Sequence, residues 1–294
     1  MKILVTLITA TVSLLAIEPL VSSAWLYEHQ NDVNLRIIEV SDGDAYSFEH
    51  IPNGGHTAIG KWRFDNGTFL SVRPVAEIEK EISRLGIDEK SDVVLYAPIT
   101  EPKDLLKASY IYWALNYHGI KNVALLDGGL EGWKNDKQSV TKAEPKIAPT
   151  TFKAKIDTSK IADITYVKNH LGKLPMIDAR PSDMYLGVTP TPTVKRNGHI
   201  KGGMSYSWNY SVDKEYRLKS KTMLESVFNE GYNLDKNKEV LVYCTGGLET
   251  SFNYFVLSGV LGYKNVRLYD ASMKEWGNRE DTPMTQYRYE MFKK

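Results

Sequence analysis

At 294 residues the chain is long for one compact core and comfortable for two domains. Its 37 basic residues nearly cancel its 36 acidic ones, which excludes a global electrostatic attraction to nucleic acid or to an anionic membrane. A single cysteine excludes an internal disulfide, and no low-complexity tract interrupts an ordinary globular composition.

Lys2 precedes an apolar stretch from Ile3 to Ile17, and Ser22-Ser23-Ala24 follow before Trp25. A short positive segment, an apolar run of this length and small residues near a cleavage point describe a secretory signal peptide. The run is short for a bilayer span, and Glu18 and Pro19 interrupt it. The expectation is an exported chain, periplasmic or secreted, cleaved near Ala24 and without stable membrane insertion afterwards. One cysteine in an exported chain points to intermolecular pairing or to a reactive thiol. A reactive thiol would need a reductant, such as a protein redox partner, to keep turning over.

Beyond the leader, two halves echo each other. Gly119-Ile120-Lys121-Asn122-Val123 runs on to Asp127 and Trp133, and Gly262-Tyr263-Lys264-Asn265-Val266 runs on to Asp270 and Trp276 at the same spacing. Upstream, Ile37-Ile38-Glu39-Val40 and His50-Ile51-Pro52 match Met176-Ile177-Asp178-Ala179-Arg180 and His199-Ile200-Lys201. Matched segments in the same order mark a duplication. Val93–Tyr96 and Val240–Tyr243 read as buried strands, Lys103–Tyr117 and Ser251–Leu261 as helices, and Val123–Leu126 and Val266–Tyr269 as the next strands. Such alternation predicts an α/β protein with two largely parallel sheets, each flanked by helices. The stretch from Asn135 to Lys160, rich in Lys, Thr, Ala and Pro, reads as the linker. The resulting division is a leader over 1–24, a first domain over 25–140, a linker over 141–160 and a second domain over 161–294.

Cys244 heads the run Cys244-Thr245-Gly246-Gly247-Leu248-Glu249-Thr250, between a predicted strand and a predicted helix. Unpaired backbone N–H groups at such a junction, together with the helix dipole, favour negative charge and hence the thiolate. The glycines permit the backbone a cradle requires. The first half carries Ala97 at the same point, followed by a loop without glycine, so it reads as a scaffold wall. No His/Cys cluster has metal-ligand spacing, and no cofactor is expected.

These segments, with Tyr185-Leu186-Gly187 and Tyr269-Asp270 through Glu275-Trp276-Gly277, resemble the tandem-domain rhodaneses, a sulfurtransferase family. The resemblance implies two rhodanese-like domains, with the active loop of the second facing the domain interface. It also implies transfer of sulfane sulfur from a small donor, through a Cys244 persulfide, to a thiol or cyanide acceptor. The loop residues Thr245, Gly246, Gly247, Leu248, Glu249 and Thr250 would then bind substrate. The chain departs from the family pattern in its charges. Thiosulfate-type members carry arginine where Met184 stands and lysine where Gly246 stands. Mercaptopyruvate-type members carry serine at the Gly246 position, and arginines matching Met184 and a spot near Thr191 or Thr193.

Glu249 would repel an anionic donor if it points inward; alternatively it faces solvent or sits in the first helical turn, where the dipole favours it. Arg180, Lys195 and Arg196 remain as cations near the loop. Arg180 is a candidate substrate contact, although a structural role is the commoner one for it. His50 and His199 read as structural, and Asp270 and Trp276 as fixing a strand end and the core. Three functions compete: an exported sulfurtransferase, a non-catalytic sulfur-carrier or binding module of the same fold, and a phosphatase. The last requires arginine at the sixth position after the cysteine, where Thr250 stands.

Overall fold

The computed structural model describes residues 16–287, so most of the proposed leader lies outside the described residues. The first half contributes strands β1 (Leu20–Val21), β2 (Leu35–Val40), β3 (Gly55–Thr57), β4 (Arg63–Asp65), β5 (Leu70–Val72), β6 (Asp92–Tyr96) and β7 (Val123–Leu126). Five of them form a parallel sheet in the order β1-β7-β6-β2-β3, while β4 and β5 make a separate antiparallel hairpin.

The second half contributes β8 (Ile161–Ala162), β9 (Met176–Asp178), β10 (His199–Ile200), β11 (Met204–Ser205), β12 (Glu239–Tyr243), β13 (Asn265–Tyr269) and β14 (Met284–Thr285). Its parallel sheet runs β11-β9-β12-β13-β8, with β10 and β14 paired apart. The duplicated α/β architecture read from the repeat is the observed one. β6 and β12 are central strands covered on both faces. Their side chains from Val93 to Tyr96 and from Val240 to Tyr243 are all buried, which is why these runs are continuously apolar rather than alternating.

The two halves share a core. Helix Pro102–Tyr117 of the first packs along helix Leu248–Tyr254 of the second. Tyr112 meets Phe255 edge-on with ring centroids 5.1 Å apart, and Ser109 and Ser251 hydroxyls lie 2.9 Å apart in the buried seam. This seam brings first-half side chains to the carboxyl end of β12, where open parallel sheets place their ligand sites.

Two boundaries differ from the sequence reading. The first domain begins before Trp25. Leu20 and Val21 extend the sheet by pairing with β7, and Ser22 caps helix Ser23–His29 by accepting the Trp25 N–H. A cut at Ala24 would remove an edge strand and uncap that helix. The linker is also no free tether. Thr141 pairs with His50, the Thr150 N–H donates to the Ser83 carbonyl, Phe152 is buried, and the Lys155 N–H donates to the His118 carbonyl. It is strapped along the first domain because its own amides find partners there.

Candidate active site

Cys244 follows the last residue of β12. Its N–H donates to Ser272 Oγ (3.0 Å), and its carbonyl accepts the Met273 N–H (3.1 Å). The backbone then turns so that the N–H groups of Gly246 and Gly247 both point back at the sulfur, 3.3 and 3.1 Å away. Gly247 has φ +96°, and a Cβ there would sit 2.2 Å from Asp270 Oδ1. Only glycine fits this corner. Gly247 is also the residue from which helix Leu248–Tyr254 starts, three positions earlier than the periodicity predicted. Glu249 and Thr250 therefore lie in its first turn.

The cradle expected to favour the thiolate is present, yet the thiol is pushed up to about 12. Complete burial is the main cause and the Glu249 carboxylate the next, since both oppose a second negative charge. Burial also raises Glu249, which is hydrogen-bonded to the thiol and to the Thr245 backbone. Glu249 thus combines a first-turn position with an inward orientation. Desolvation and the neighbouring carboxyl push the thiol up while the two N–H groups aimed at the sulfur favour its anion.

In front of the buried sulfur lies a cleft between the halves. Thr245, Gly246, Leu248 and Glu249 line it, as do Met184 and Thr193 from the second half. Gly247 and Thr250 are buried behind them against the sulfur. The opposite wall belongs to the first half, as read from the sequence, but its residues were not legible there: Arg63 and Leu70 from the β4–β5 hairpin and Lys103 and Leu106 from helix Pro102–Tyr117. Lys274 completes the rim. The repeat held one signal for it: Lys274 stands where the first half has Glu131.

Arg63 fixes the wall. It donates to the Gly246 carbonyl and lies 3.4 Å from Asp270 Oδ1, with its guanidinium 4.4 Å above the centre of the Tyr110 ring. Asp270 in turn accepts the Tyr110 hydroxyl (2.8 Å) and the Val72 N–H (3.0 Å). Asp270 therefore ties the two halves together as well as ending β13.

Arg180 is not among the residues lining the cleft. It is fully buried, with its donors taken by Asp178, the Thr191 hydroxyl and the Gly198 carbonyl, so its role is structural rather than contact with substrate. Arg196 is spent on the carbonyls of Trp276, Gly277 and Thr282. His199 stacks on Tyr185 with centroids 3.7 Å apart, and His50 stacks on Tyr46 at 4.0 Å, as structural turns do.

A family model for the rhodanese-like domain matches residues 22–136 and again 163–279. The chain belongs to the rhodanese family. It is 31% identical over 280 residues to the sulfur carrier protein TtuD of Thermus thermophilus, covering 91% of this chain and 96% of that one. It is equally identical over 280 residues, at 31%, to a putative thiosulfate sulfurtransferase of Synechococcus elongatus, covering 91% and 85%. Identity to the thiosulfate sulfurtransferase of Corynebacterium glutamicum is 26% over 281 residues, covering 91% and 90%. Among solved structures, wild-type EanB superposes with TM-score 0.82 at 20% identity, covering 91% of this chain and 69% of EanB. YnjE superposes at 0.80 and 21% identity, covering 92% and 68%, and both likenesses concern the fold. This rhodanese is a sulfurtransferase or a sulfur carrier of its family.

Proposed function

We propose that this rhodanese is an exported sulfurtransferase that carries sulfane sulfur on Cys244. The observation that carries the reading is the pair of glycine N–H groups aimed at the sulfur from a loop that opens on the interdomain cleft. In the first half-reaction the thiol proton passes to the Glu249 carboxylate hydrogen-bonded to it. The thiolate attacks the outer sulfur of the donor, a new S–S bond forms, and the donor's own bond to that sulfur (S–S in thiosulfate or polysulfide, C–S in mercaptopyruvate) breaks with its electron pair leaving on the remainder. The Gly246 and Gly247 amides then hold the anion on either sulfur of the persulfide. An acceptor nucleophile, thiol or cyanide, takes the outer sulfur and returns Cys244 to the thiolate, which recovers its proton.

Incubation of the full chain with thiosulfate, mercaptopyruvate or polysulfide, followed by intact mass, is expected to add one sulfur to Cys244. Cyanide should then release thiocyanate catalytically, and Cys244→Ser should do neither while keeping the fold. Loading without turnover would instead favour the carrier reading, which the similarity to TtuD supports. Turnover by the serine variant would remove Cys244 from the mechanism. Export is part of the same proposal, with processing ahead of Leu20 so that β1 survives. N-terminal mapping of the mature protein should find Leu20 retained.

A further inference from the structure

Gly246 leaves a space that another residue fills. A Cβ at 246 would lie 3.3 Å from Lys274 Cδ and 3.7 Å from its Cε, so the lysine stem lies over the loop at that point. The Lys274 N–H donates to the Thr245 carbonyl (2.9 Å), which ties the residue to the same loop. Among the described residues its ammonium joins no ion pair. The arginines nearby are spent: Arg63 on Asp270 and the Gly246 carbonyl, Arg180 on Asp178. Across the cleft Lys103 is exposed and likewise joins no ion pair among the described residues, whereas Lys107, one turn on, is held by Asp104 and Asp42. In the first half the equivalent of Lys274 is Glu131, paired with Lys134 at 2.9 Å. At these two equivalent positions it is the second half, beside the cysteine, that carries a cation, and among the described residues that cation joins no ion pair.

The cleft is therefore graded. Glu249 puts a buried carboxyl on its floor, nearest the sulfur, Leu106 and Met184 make its flanks apolar, and two lysines stand at its rim. An anion is attracted at the rim, where the two ammonium groups stand. We infer that Lys274, with Lys103 across the interface, holds the anionic end of a sulfane-sulfur donor whose sulfur end faces Cys244. The substrate class is a short anionic donor whose charge is shared between the sulfane sulfur and its sulfonyl oxygens, as in a thiosulfonate, the oxygens meeting the lysines. The inference rests on persulfide chemistry at Cys244.

The test compares benzenethiosulfonate, an anion, with dimethyl trisulfide, which is uncharged, on the full chain. The trisulfide yields the persulfide when Cys244 takes its central sulfur, displacing methanethiolate that then removes the second methylthio group as dimethyl disulfide. Sulfur loading is read by intact mass and turnover by thiocyanate release. Lys274→Gln with Lys103→Gln should lower kcat/KM for benzenethiosulfonate by about tenfold or more, mainly through KM, as expected when a charge-assisted contact made in both ground and transition states is lost. Dimethyl trisulfide should change by less than about twofold, and Lys274→Arg should retain the anionic donor. Added salt should raise KM for the anion in the native protein and much less in the double variant. Equal losses with both donors would make the lysines structural and overturn the inference, as would no loss with either while Cys244 still loads. If the native chain loads from neither donor, persulfide chemistry itself fails and the inference falls with it.

Discussion

In each half a buried central strand ends in tyrosine and passes into a loop that opens a helix, but the loop amides go to different places. After β6 the N–H groups of Thr100 and Glu101 donate to Asp104 Oδ2 at 3.0 and 3.1 Å, so the helix caps itself. After β12 the N–H groups of Gly246 and Gly247 are left for the sulfur. The floor differs as well. Gly129 approaches so closely that a Cβ would lie 2.4 Å from the Ala97 carbonyl and 2.6 Å from Ile99 Cδ1. Its counterpart is Ser272, held at φ +50°, whose hydroxyl accepts the Cys244 N–H. One fold yields a self-capped loop or an amide cradle around a sulfur according to where two or three amides are spent, not according to its sheet.

The largest test of this division of labour concerns the residue that joins the halves. Arg63→Met leaves Asp270 buried without its cation, which should destabilise the chain by about 3–5 kcal/mol in urea unfolding near neutral pH. Burial already raises the Asp270 carboxyl, with Arg63 opposing, and loss of Arg63 should raise it further. A raised carboxyl gives stability that is fully present below its unfolded value and lost as pH rises through the folded one. The defect should therefore shrink as pH falls, and Asp270→Asn in the same chain should recover part of it. A loss that is independent of pH and not recovered would mean that the hairpin packs without help from the ion pair.

A smaller effect is expected at Glu249, the carboxyl beside the sulfur. Glu249→Gln removes a like charge beside the thiol and leaves an amide able to donate to the thiolate. The Cys244 midpoint should fall by about one unit from its raised value, increasing the thiolate fraction at neutral pH about tenfold. Thiolate absorbance during a pH titration measures this without requiring a reagent to reach the buried sulfur. An unchanged or higher midpoint would mean that burial alone raises the thiol.

The division between legible and hidden features follows from interaction range. The duplicated sheets were readable because apolar runs such as Val240–Tyr243 and the repeated Lys-Asn-Val signal local periodicity. The cradle was readable because strand, cysteine, glycines and helix are contiguous. The opposing wall was not, since Arg63 meets Gly246 across 183 positions and no local pattern encodes that contact. Arg180 kept a candidate role in the sequence because proximity says nothing about Asp178 and Thr191 occupying its donors. The thiol's raised value was hidden for the same reason: complete burial is a property of the packed halves, not of the loop.

The smallest expected effect is the sharpest statement of the comparison. Ala97→Cys, made in the Cys244→Ser chain, restores a sulfur to the first half at the point where the duplication would have it. Its neighbours are wrong for chemistry. The amides that would face it remain on Asp104, the Leu130 N–H donates to the Ala97 carbonyl at 2.9 Å, and Ile99 packs closely against Gly129 beneath the loop. Burial without a cradle holds a thiol neutral and small. Intact mass after exposure to sulfane donors should therefore stay unchanged. An adduct on that residue would show that the strand end alone suffices, and that the two glycine amides are not what separates the halves.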